Sequence, residues 1–133
     1  MIWVVRACSL YNASALVAFL IPGMLSAFGV AVPDASFWLW LPSLLALFAA
    51  ITLWISSRDL VRYGAFVYWN GLIRITFAIV SFLLDFGGSV GAFIALLAAG
   101  DLVLGLACIV GLPMATGRKH AQLLLDQHPA ARN

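Results

Sequence analysis

Two opposite charges stand in the middle of apolar sequence. Arg74 falls within YWNGLIRITFAIVSFLL, residues 68–84, and Asp101 falls within AAGDLVLG, residues 98–105. A guanidinium and a carboxylate in such surroundings have a small set of uses. They can form a buried pair that fixes the register of two helices, or line a path for a proton or an ion, or hold a polar headgroup. Asn70 precedes Arg74 by four residues and so shares its face of a helix. The clasp and the site are both open readings of Arg74, Asp101 and Asn70 at the level of sequence.

The elements that must position these groups follow from composition. The chain has 133 residues, of which 65% are hydrophobic and 9% charged, and a mean hydropathy of +1.09. No water-soluble domain carries that balance on its surface. About 20 apolar residues in a helix cross a bilayer, and four such runs fit: about 9–32, 37–56, 60–84 and 90–114. The connections VPDAS, SSRD and DFGGS are short and rich in turn residues. Consecutive helices must therefore be antiparallel neighbours. The predicted fold is an all-α integral membrane protein: a four-helix up-down bundle over 1–114, then a short tail over 115–133.

Counting from the last connection places the two charges at one height. Arg74 lies eleven residues before Asp85, and Asp101 lies twelve after Ser89. At about 1.5 Å per residue both are roughly 15–18 Å from that turn, near the bilayer midplane. The spacing predicts that Arg74 pairs with Asp101. On the third span Gly71, Ala78 and Ser81 continue the inward stripe, and on the fourth Ala98, Gly105 and Cys108 flank Asp101. Small residues there allow close helix approach.

Charge placement predicts orientation. Arg6, Arg58, Arg62, Arg118, Lys119 and Arg132 all fall at the termini or the second connection, while the first and third connections carry only Asp34 and Asp85. By the positive-inside rule both termini face the cytoplasm. The first apolar run is longer than a signal-peptide core and lacks a small-x-small cleavage motif before Pro33, so it is read as retained. Cys8 and Cys108 then lie toward the reducing side, where a structural disulfide is not expected.

Secondary features complete the reading. Pro22 and Gly23 should kink the first span or loosen its hydrogen bonding, whereas Pro42 is harmless if it lies in the first turn of the second. Trp3, Trp38, Trp40, Trp54 and Tyr68 read as an interfacial aromatic belt. Trp69, deeper and beside Asn70, is the tryptophan placed for a ligand contact. Asn12, near the start of the first span, is a second candidate ligand contact within reach of Asn70, although interfacial solvation is the simpler reading. An offset of 58 aligns Asn12 with Asn70 and Phe19 with Phe77, a hint of a duplicated hairpin. The tail predicts an amphipathic helix over 118–127, with Leu123 to Leu125 on the membrane and Arg118 and Lys119 near anionic headgroups.

Several chemistries have no residues to carry them. The spans contain no histidine to serve a nucleophile or ligate a haem, and His120 and His128 of the tail have no third metal ligand. No phosphate-binding loop, paired-cysteine motif or nucleic-acid signature is present. No catalytic residue, metal or cofactor is expected.

In layout, with SSRDLVRY after the second span, NGLIR from Asn70 and AAGDLVLG around Asp101, the chain resembles the DoxX-like and related small four-helix proteins of the bacterial inner membrane. That resemblance implies association with a membrane complex, in some members one linked to quinones or oxidoreductases, and supplies no catalytic residue. The expected function is a non-catalytic accessory subunit of the bacterial inner membrane, docking laterally on itself or on a larger complex among membrane lipids. The alternatives are a small oligomeric transporter or ion conductor with a midplane site at Arg74, Asp101 and Asn70, and a lipid- or quinone-binding protein using Trp69 and Arg74.

Overall fold

A computed structural model describes residues 1–30, 32, 34–84 and 92–127. Its helices are α1 (Ile2–Leu20), α2 (Met24–Ala27), α3 (Phe37–Ser56), α4 (Leu60–Leu83), α5 (Ala92–Thr116) and α6 (His120–Leu124), and the described residues contain no strand. Four of these, α1, α3, α4 and α5, are long and apolar enough to cross a membrane. Their length and composition suit a multi-pass membrane protein.

The second span coincides with α3, and α4 ends at Leu83, one residue short of the expected end. Helix α5 reaches Thr116, past the expected Met114; the connection Asp85 to Ser89 and the expected start at Val90 lie outside the described residues.

The first span departs from expectation at both ends. Helix α1 begins at Ile2 rather than Ser9 because Arg6 does not need the interface to be tolerated. Its guanidinium lies 5.2 Å from the Trp3 ring and 5.4 Å from the Trp54 ring, and Nε donates to Ser57 Oγ at 3.4 Å. The helix ends at Leu20 because Pro22 holds Ile21 in an extended conformation, ψ 118°. Gly23 then takes φ +80°, a left-handed conformation open to glycine, and α2 begins. What was expected as a kink is a break.

Pro42 is the sixth residue of α3, inside the helix rather than in its first turn. The missing N–H leaves a gap in the ladder, and one residue on the Ser43 hydroxyl donates back to Leu39 O at 2.7 Å. Helix α4 starts at a side-chain cap, Asp59 Oδ1 accepting the Arg62 N–H at 3.0 Å.

Contacts fix the alternating directions of the helices. Arg6 meets Ser57 while Ser9 Oγ donates to Ala50 O at 2.7 Å, so α1 and α3 run antiparallel. Gly64 faces Leu112 while Arg74 pairs with Asp101, so α4 and α5 do too. These two hairpin-like pairs, α1 with α3 and α4 with α5, are the most extensive packings. In the second, Gly71 and Gly105 bring the backbones together: a Cβ on Gly105 would lie 2.8 Å from Gly71 O.

The apolar core gathers at the end carrying both termini, around Val5, Cys8, Leu53, Val67, Tyr68, Cys108, Leu112 and Leu123. Tyr68 is thereby removed from the expected aromatic belt, being 7% exposed against 77% for Trp3. The tail also differs from expectation. Its helix has five residues, and Leu123 is buried in the core rather than free for a membrane. Arg118 is 1% exposed, not at a headgroup. It donates to Val61 O at 3.2 Å, Gln122 O at 3.1 Å and Gln127 O at 2.8 Å, and pairs with Asp126 at 3.4 Å. Burial leaves backbone carbonyls as the acceptors able to satisfy it.

Candidate functional site

The site is built from one turn of α4 and the two helices it faces. Gly71, Arg74, Ala78 and Ser81 are buried along one stripe of α4, because three- and four-residue steps return to the same side. Opposite them on α5, Ala98, Gly105 and Cys108 are buried, with Asp101 at their centre.

Arg74 organises the cluster. Its Nη1 donates to Asp101 Oδ1, Nε donates to Asn70 Oδ1 at 2.9 Å, and Nη2 donates to Asn12 Oδ1 at 2.6 Å and to Cys8 O at 3.1 Å. The Tyr11 ring lies 5.3 Å from the guanidinium carbon. The side chain is 4% exposed and ties α1, α4 and α5 together. A buried guanidinium with one carboxylate and three neutral acceptors is nearly saturated, and its charge is balanced inside the cluster.

Asn12 corrects the expectation of interfacial solvation. With α1 starting at Ile2, Asn12 is ten residues into the helix, about 15 Å deep. It does not bond Asn70; the two amide oxygens converge on Arg74, one at Nη2 and the other at Nε.

Tyr11 was missed as a site residue. It reaches α5, where its hydroxyl donates to Leu97 O at 2.8 Å, and a Cβ on Gly100 would lie 3.0 Å from that hydroxyl. The available signal was its place beside Asn12, which becomes informative only once the true helix start is known.

The cluster separates two cavities of about 450 Å³ each. One, on the side away from the termini, is lined by Tyr11, Asn12, Phe77, Ser81, Leu97 and Asp101. The other lies between α3 and α4 and reaches Phe48, Trp69, Asn70 and Ile73. Asp101 faces the first with its side chain 15% exposed, and among the described residues only its Oδ1 is engaged by a hydrogen bond. The first cavity is apolar walls around a carboxylate oxygen and an amide, a shape suited to an amphiphile.

Trp69 does not share a cavity with Arg74. It borders the second, and its indole N–H donates to Leu124 O at 3.0 Å, so it pins the tail helix. Tyr68 does the same through a 2.9 Å hydrogen bond with His120 Nδ1. A larger cavity of about 640 Å³ lies at the termini end, remote from the cluster. Its one charged side chain, Arg6, is already covered by Trp3 and Trp54. Among the described residues no group of three His, Cys, Asp or Glu side chains could hold a metal ion; His128 lies outside them. Cys8 and Cys108 are free thiols, Sγ to Sγ 3.7 Å.

No family model matches this chain, and neither does any curated protein or solved structure compared with it.

Proposed function

We propose that this chain is a non-catalytic protein of the bacterial cytoplasmic membrane, with both termini inside, that holds a lipophilic molecule in the cavity ending on Asp101. The single observation carrying this reading is that cavity: about 450 Å³, walled by Phe77 and Leu97, with Asp101 and Asn12 in its lining. Arg74 neutralises Asp101 without occupying its second oxygen. That oxygen accepts a hydrogen bond, so the ligand carries a hydroxyl or N–H donor at its polar end. The clustering of basic residues at the termini supports the orientation.

The test is purification in mild detergent, followed by mass spectrometry of extracted lipophilic species. A stoichiometric compound is expected with the native chain and absent with Ala15→Phe, which fills the cavity. A native chain free of bound species would sink the reading. Proton or solute flux in proteoliposomes that Asp101→Asn abolishes, with the fold intact, would replace it with a conductor built on Arg74, Asp101 and Asn70.

A second reading, lateral docking as an accessory subunit, is favoured by the outer face of α5. Leu96, Val103 and Val110 recur there at seven-residue spacing with exposures of 70%, 67% and 58%, the repeat with which helices pack along a seam. The resemblance to the DoxX-like group points the same way. Cross-linking of Val103→Cys between copies, or to a second membrane protein, is the expected result; an uncross-linked chain counts against docking through this face.

A further inference from the structure

We propose that Cys8 and Cys108 form a reversible dithiol–disulfide pair that joins α1 to α5 beside the Arg74 cluster. The chain has two cysteines, separated by 100 positions, and the fold brings their sulfurs to 3.7 Å. Both are 0% exposed. They sit on the contact between the two hairpin-like pairs, where the described polar ties are few: Tyr11 to Leu97, and Arg74 to Asn12 and to Cys8 O.

The geometry suits bond formation. A disulfide needs sulfurs at about 2.0 Å, so closure from 3.7 Å requires the two side chains to rotate toward each other or α1 to shift. Helix α5 is the fixed partner, because a Cβ on Gly71 would lie 3.0 Å from the Cys108 Cβ, leaving no slack between α4 and α5. The reaction is a two-electron oxidation. One thiol adds to a membrane-permeant two-electron acceptor; the second thiol attacks the sulfur of that adduct, forming the S–S bond and releasing the reduced acceptor. Both thiol protons and both electrons end on the acceptor. Burial excludes protein oxidants and reductants, so exchange depends on small lipid-soluble ones.

The cross-link acts on the cavity through α1. Cys8 O is an acceptor of Arg74, and Tyr11 and Asn12, about one turn on, are cavity wall. Oxidation therefore fastens that wall to α5 and restricts opening between the pairs.

The test uses the full chain in membranes treated with diamide, an azodicarboxamide that takes up two hydrogens at its N=N bond. Free thiols are then blocked with maleimide in denaturant and the chain is digested without reductant. The expected result is a fall from two maleimide labels per chain to none. A linked peptide pair containing residues 8 and 108 appears, and dithiothreitol reverses it. Cys8→Ser and Cys108→Ser each abolish the link within a chain. Two labels per chain after diamide, or links only between different chains, would overturn the proposal. The peptide map of the native sequence decides the matter even where a serine variant fails to fold.

Discussion

Arg74 is buried among side chains, and Arg118 is buried among backbone carbonyls. The first, 4% exposed, is met by Asp101, Asn70 and Asn12 from three helices, with Cys8 O as its one carbonyl partner. The second, 1% exposed, is met by the carbonyls of Val61, Gln122 and Gln127, with Asp126, 58% exposed, as a screened partner. Its Nε is the buried side-chain nitrogen without a hydrogen bond among the described residues. Arg74 binds long helices to one another deep in the bundle; Arg118 binds a short tail to the end of one. The difference teaches that one residue type can serve as a keystone between helices or as a latch on a terminus, according to what faces it.

Breaking the keystone gives the largest expected effect. Arg74→Ala leaves the Asp101 carboxylate buried and unpaired, and should cost roughly 3–5 kcal/mol in detergent unfolding. The double replacement Arg74→Leu with Asp101→Leu should recover most of that loss, since the uncompensated charge is gone. A double variant as unstable as the single one would show that the cluster's other hydrogen bonds, not the pair, hold the helices.

Arg118→Ala should be milder and local, roughly 1.5–3 kcal/mol for a set of charged hydrogen bonds. Hydrogen exchange and proteolysis should rise in residues 118–127 while α4 and α5 stay protected. Uniform loss of protection across the bundle would erase the distinction between keystone and latch.

The helix approach that positions Arg74 is tested by Gly105→Ala. The added Cβ would meet Gly71 O at 2.8 Å and Ile75 Cγ1 at 2.9 Å, a clash expected to cost roughly 1–3 kcal/mol in unfolding measurements. The smallest effect is expected of Tyr68→Phe, which removes the hydrogen bond to His120. It should lower stability by roughly 0.5–1.5 kcal/mol and loosen the tail without changing protection around Arg74.

How much was legible follows the same division. Arg74, Asp101 and Asn70 could be read from sequence because charges in apolar segments are few and their heights can be counted from a turn. Asn12 was misread because its depth was counted from Ser9, whereas aromatic rings around Arg6 carry α1 on to Ile2. Arg118 could not be found by searching for partners, since every residue offers a carbonyl and none announces which one is free. Tyr68 looked like part of a belt and Trp69 like a ligand contact, yet Tyr68 is core and both tie the tail.

By itself the sequence determined the four apolar helices, their alternation and the matched heights of Arg74 and Asp101. Apolar length and short connections leave a chain few other ways to satisfy its backbone. Tertiary structure alone decided which helices pair most closely, that Asn12 and Tyr11 join the cluster, that cavities flank it, and that Cys8 meets Cys108. Those outcomes depend on rotation about each helix axis and on the close approach at Gly71 and Gly105, which are set by packing between distant segments.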